Sequence, residues 1–398
     1  MFLNYSFALD DILNLFQFMT ILPSPQKPNT IKRLTQLDSL RGLAALSVFF
    51  EHYTNSYNIR SATYRFAYFS PLHILWNGHA AVLLFFILSG FVLSLPFINN
   101  EKPLQIIEFY VKRIFRIYPA FLLAILIALI LKYYFYDVTS VNEFSLWFRK
   151  PWAWNWNSAV AHETLKTFTL IGKFNPDLII PAIWSLIIEM RISIILPFLI
   201  IIASRGNLLF NLLFFLVLTY WGQTSETALG VFFIGILIAK YKEPLITKLK
   251  SQSNWFIAML ILFAIVLYTI DFTFGLNTSH AIVRGIINYS VSIGSGIFII
   301  VLISRPKAAD FLKRPVFIFL GEVSYSFYLI HMPILYVMCS VFSFKYTLSP
   351  LYILLSSLSI SFILSYIMLV GIERPFQKLA KKIISKYSVL RRGDIRTN

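Results

Sequence analysis

Long apolar runs alternate along the chain with short polar breaks, most of them basic. A run of about 20 apolar residues is what a helix needs to cross a bilayer. The pattern predicts about ten spanning helices, near residues 40–57, 79–98, 117–136, 183–203, 207–222, 226–241, 254–271, 281–303, 315–341 and 350–371. The predicted fold class is all-α, a polytopic integral membrane protein. Residues 1–36 read as an N-terminal extension, 37–376 as one transmembrane domain and 377–398 as a basic tail.

Composition agrees with the pattern. Apolar residues make up 58% of the 398 and charged residues 13%, against about 25% charged in a soluble domain. The formal net charge is +17. With a cytoplasmic N-terminus, 25 of the 35 Lys and Arg fall in segments 1–41, 99–116, 204–206, 240–253, 304–314 and 372–398. Lys and Arg concentrate on the cytoplasmic side of membrane proteins, so an N-in, C-in topology is expected. The charges are scattered between apolar runs, so no nucleic-acid partner is expected. Cys339 is the single cysteine, which excludes an internal disulfide and a cysteine-based zinc site. Asp10 and Asp11 stand where a signal peptide would be basic, so none is expected. Residues 12–22 are predicted as a short interfacial helix, ended by Pro23, Pro25 and Pro28.

Ionisable side chains are costly in hydrocarbon and mark candidate chemistry. The first span carries Arg41 at its start and His52 eleven residues on. On a helix that is about 16 Å along the axis, with nearly the same facing. The two are expected to line one cavity, with His52 as a general base. Glu51 faces elsewhere and is read as a bystander. Arg113 and Arg116 share a helical face before the third span and suit a diphosphate or ribose phosphate. A plain topogenic role is the other reading of these cations. Glu189 and Arg191 both lie in apolar sequence, about 200° apart on a helix, so each needs a partner elsewhere. Arg284 is a candidate for Glu189. Ser324, Tyr328 and His331 recur at i, i+4, i+7 and form one polar stripe. Ser89 and Gly90 read as close packing, and His79 as interfacial. The 137–182 loop holds Trp147, Trp152, Trp154 and Trp156. They are either an interfacial aromatic belt or a platform for sugar rings.

Six blocks carry a resemblance. Leu37-Asp38-Ser39-Leu40-Arg41-Gly42 followed by His52 resembles the opening motif of the acyltransferase 3 family. Those are polytopic membrane enzymes typified by bacterial O-acetyltransferases of surface polysaccharides. Phe85-Phe86-Ile87-Leu88-Ser89-Gly90-Phe91, Arg113-Ile114-Phe115-Arg116 with Tyr118-Pro119, and Trp184-Ser185-Leu186 with Glu189 are similar to further family motifs. So are Ser324-Tyr325-Ser326-Phe327-Tyr328-Leu329-Ile330-His331-Met332-Pro333 and Glu373-Arg374-Pro375. Glu-Met-Arg-Ile-Ser at 189–193 departs from the usual Glu-Glu-Gln-Phe-Tyr and looks like a subgroup. The chain ends soon after the last span, as in the stand-alone form.

The resemblance implies His52 and Glu189 as catalytic residues. It implies Arg41, Arg113, Arg116, Trp184, Tyr328 and His331 as substrate- or donor-binding. Glu373-Arg374-Pro375 reads as a structural lock. The expected reaction is acetyl transfer from acetyl-CoA, a substrate and no resident cofactor, to a hydroxyl of a cell-surface or lipid-linked glycan. No metal is expected, since no metal-ligand spacing is present. The expected location is the bacterial inner membrane. Two alternatives stay open: an O-acyltransferase of a small secondary metabolite, and a transporter or flippase, whose intramembrane charges look alike.

Overall fold

The computed structural model describes residues 34–57, 62–98, 104–172, 174–225, 228–276, 279–307, 309–345 and 349–394. The short helix expected at 12–22 lies outside the described residues. Every regular element among the described residues is helical. The long helices are α1 (Thr35–Ser56), α2 (Gly78–Ser94), α3 (Ile106–Phe135), α4 (Trp184–Arg205), α5 (Leu208–Ser225), α6 (Leu229–Lys240), α7 (Asn254–Tyr268), α8 (Ala281–Ser304), α9 (Pro315–Lys345), α10 (Pro350–Met368) and α11 (Arg374–Asp394). Each of the ten predicted apolar segments is occupied by one of α1–α10.

Among the described residues, five helical stretches are long and apolar enough to cross a membrane: Ile106–Phe135, Pro181–Arg205, Ala281–Ser304, Pro315–Phe342 and Pro350–Tyr387. Gly78–Ser94, Leu208–Trp221, Leu229–Lys240 and Asn254–Tyr268 are apolar but shorter.

Two boundaries differ from expectation. The third span was expected to start at 117, yet α3 begins at Ile106 and runs through Pro119. A proline removes one helical hydrogen bond, and neighbouring helices make such a loss tolerable in a bundle. The extension matters because it carries Arg113 and Arg116 on a rigid element. The basic tail is helical through Asp394, continuing α10 by way of a π-turn at Leu369–Glu373. Phe376, Leu379, Ile383 and Tyr387 give it an apolar edge at helical spacing. Phe376 meets Phe115 of α3, ring centroids 6.4 Å apart.

The bundle is built around α9, which packs most extensively on α1 and also on α3 and α10. The α1–α9 crossing depends on two glycines. A Cβ at Gly42 would stand 2.5 Å from the Leu320 carbonyl carbon. One at Gly321 would run into the Asp38 carbonyl. Without side chains there, the two backbones touch, as small residues allow in membrane bundles. The lock expected at the last span has its partners on α9. Arg374 Nη2 lies 3.0 Å from Glu322 Oε2, and Ser326 donates to Glu373.

Candidate active site

A narrow cavity of about 100 Å³ lies between α1, α2, α3, α4 and α9. Its polar lining is Arg41, Ser89, Arg113, Arg116, Ser185, Glu189, Ser324, Tyr325 and Tyr328. Five helices thus deliver most of the residues singled out in the sequence to one place.

Glu189 is paired with Arg113, not with Arg284: Nη2 to Oε1 is 2.7 Å. Arg284 instead donates to the Ser279 carbonyl at 2.9 Å. Helix α3 starts far enough back for Arg113 to reach α4, a partnership no local pattern announces. Arg113 is buried and also donates to Ser193 Oγ through Nε and Nη2, at 3.1 and 2.8 Å. Ser89 donates to the same Glu189 oxygen at 3.1 Å, so its polar role is to complete this network. Arg191 points away and donates to the Ile171 and Gly172 carbonyls. A buried charge needs such compensation, and Arg113 and Glu189 supply it to each other.

Arg116 is exposed at the cavity, and Arg41 lines it while bonding Asp38 at 3.1 Å. Two guanidiniums on one cavity wall have the chemistry to hold an anion with several acceptor oxygens. Trp184 lies elsewhere. It is 38% exposed on α4 and does not line the cavity.

The expected shared cavity for Arg41 and His52 is not seen: the lining takes in Arg41 and not His52. His52 turns inward one level deeper, where Nδ1 lies 2.9 Å from Nε2 of His331. Tyr328 separates the two levels. It lines the cavity, its hydroxyl bonds Ser185 Oγ at 2.7 Å and the Ala182 carbonyl at 2.9 Å, and its ring is 5.8 Å from that of His331. The stripe Ser324, Tyr328, His331 therefore runs from the cavity to the imidazole pair.

The hydrogen bonds order the protons of that pair. His331 Nδ1 lies 3.1 Å from the Phe327 carbonyl, which can only accept. Nδ1 of His331 therefore carries the hydrogen, and for a neutral ring Nε2 is the acceptor. His52 must then donate through Nδ1. Its Nε2 is left with a lone pair (the nitrogen a base uses).

Two residues named in the sequence take positions around His52 that their spacing does not give. The Glu51 carboxylate lies against Gly78 at the start of α2, on another helix. Trp147 stands 5.5 Å from the His52 ring, although it is nearly a hundred residues away in sequence.

Residues 34–370 match the acyltransferase domain family. The chain belongs to the acyltransferase 3 family. No curated protein and no solved structure matches it. Its apolar helices and this family make it a membrane acyltransferase. In this acyltransferase the matched region holds the whole cavity, the imidazole pair and both neighbours of His52.

Proposed function

We propose that this acyltransferase moves an acetyl group from acetyl-CoA to a hydroxyl of a cell-surface or lipid-linked polysaccharide, with His52 as general base. The observation that carries the reading is the proton order of the imidazole pair, which leaves His52 Nε2 ready to accept a proton. The chain is read as ten spans with both termini cytoplasmic, in a bacterial inner membrane. The basic wall of the cavity then faces the cytoplasm, where acetyl-CoA is. Arg41 and Arg116 hold the phosphates of the donor. Arg113 takes a different part from the one expected: committed to Glu189 and Ser193, it shapes and charges the wall. Glu189 belongs to the same wall and reaches the reaction through Arg113 and Ser89. The flexible pantetheine arm carries the thioester past Tyr328 toward His52.

In the transfer step the acceptor oxygen attacks the thioester carbonyl carbon while its proton passes to His52 Nε2. The carbon–sulfur bond breaks as the tetrahedral intermediate collapses. The thiolate of coenzyme A recovers the proton from the imidazolium, so the histidine ends as it began. His331 accepts the Nδ1 hydrogen of His52 throughout, which holds the ring in its basic tautomer.

Purified full chain given radiolabelled acetyl-CoA tests the reaction, with mass spectrometry of cell-surface glycans from a deletion strain. Label in an O-acetyl ester, and loss of that ester on deletion, are expected. Vectorial uptake of a solute without ester formation would favour a transporter instead.

A further inference from the structure

Four tryptophans occupy the loop between α3 and α4, and the structure separates their roles. Trp152 is fully buried, donates to the Ile179 carbonyl at 2.9 Å and stacks on Tyr336. Trp154 donates to the Leu178 carbonyl at 2.8 Å, with the Lys132 ammonium over its ring. Packing explains both. Trp147 is different. It is 47% exposed, and its ring lies 5.5 Å from that of His52 at a tilt of 41°.

Its position is built. Trp147 sits in the single turn Leu146–Arg149, and Ser145 caps that turn by accepting the Phe148 N–H. The same Ser145 donates its backbone N–H to the Ser56 carbonyl at 2.8 Å and its hydroxyl to the Asn55 carbonyl at 2.6 Å. Both acceptors belong to α1, three and four residues after His52. Phe148 is fully buried and packs 4.6 Å from Tyr336. The turn is thus stitched to the helix that carries the imidazole, while Trp147 keeps one side of its indole open.

We propose that Trp147 is the wall of an acceptor subsite, on which a pyranose ring stacks while one of its hydroxyls meets His52. The proposal rests on the reading of His52 as the base. A sugar ring has an apolar C–H face and a hydroxyl edge. The C–H face suits the electron-rich face of an indole. The hydroxyl edge suits the lone pair on His52 Nε2, which must come within hydrogen-bond reach of the attacking oxygen. Indole and imidazole at this spacing address both features of one ring together, and an alcohol without a ring has no use for the first.

The test uses the full chain in nanodiscs with labelled acetyl-CoA, offering a panel of methyl hexopyranosides and, separately, glycerol. Trp147→Ala is expected to lower kcat/KM for the best pyranoside about tenfold, through KM, and to leave glycerol unchanged. Trp147→Phe keeps an aromatic face and should retain most of the pyranoside rate. Equal loss on both alcohols, no loss on either, or a wild-type enzyme that acetylates none of the pyranosides would overturn the platform. His52→Ala, run beside it, should abolish transfer to both alcohols. If that variant stays active while Trp147→Ala loses pyranosides alone, the base assignment fails and the platform stands.

Discussion

His52 and His331 are 279 residues apart in sequence, and their facing ring nitrogens are 2.9 Å apart. One edge of the catalytic candidate is therefore fully committed, to a partner whose other nitrogen is fixed by the Phe327 carbonyl. His331→Ala removes the acceptor that holds the His52 tautomer. The expected result is a kcat lower by about 10²-fold or more, with the KM for acetyl-CoA near wild type. Steady-state kinetics of the purified variant check this. A raised donor KM at normal kcat would instead make His331 a binding residue.

Gly42 and Gly321 bring the two histidine-bearing helices into backbone contact. Gly321→Ala must push α1 away from α9, since the obstacle is the Asp38 backbone and not a mobile side chain. Overpacking of this kind costs about 1–3 kcal/mol. Thermal unfolding in detergent should show the loss, and transfer activity should fall with it. A variant as stable and active as wild type would mean the crossing tolerates more separation than the geometry allows.

Arg113 and Glu189 are a mutually dependent pair. Removing one leaves a buried charge uncompensated, which costs about 3–5 kcal/mol. Arg113→Ala and Glu189→Ala should each destabilise strongly, and the double variant by less than their sum. A double-mutant cycle from thermal unfolding in detergent reads that coupling. Additive effects would show that the pair is not the source of the stability.

Arg116 lines the cavity from an exposed position, so its loss should spare the fold. A hydrogen bond to a charged group is worth about 1.5–3 kcal/mol. Arg116→Ala should therefore raise the KM for acetyl-CoA about tenfold or more and leave kcat near wild type. An unchanged KM would return Arg116 to a topogenic role.

The apolar runs of the sequence located the helices α1–α10, five of them in stretches long and apolar enough to cross a membrane, because hydrocarbon selects for apolar runs whatever the tertiary arrangement. Motif resemblance located most of the cavity lining. Neither revealed which groups meet across the bundle. Arg284 stood as the candidate for Glu189, because residues distant in sequence can become partners only once helices pack. Glu51 was set aside by helical facing, and its carboxylate does turn to another helix, against Gly78 of α2. Trp147 was one of four alike residues until the Ser145 anchors singled it out. The early start of α3 was hidden by a polar stretch in which Arg113 finds its partner only on α4.

The central claim is that His52 takes the proton of the acceptor alcohol. Its most direct measurement is the rate at which purified His52→Ala transfers labelled acetyl from acetyl-CoA, beside its thermal unfolding midpoint. The expected rate is lower by about 10²–10⁴-fold, with the unfolding midpoint close to wild type. Turnover near the wild-type rate in a folded variant would contradict it.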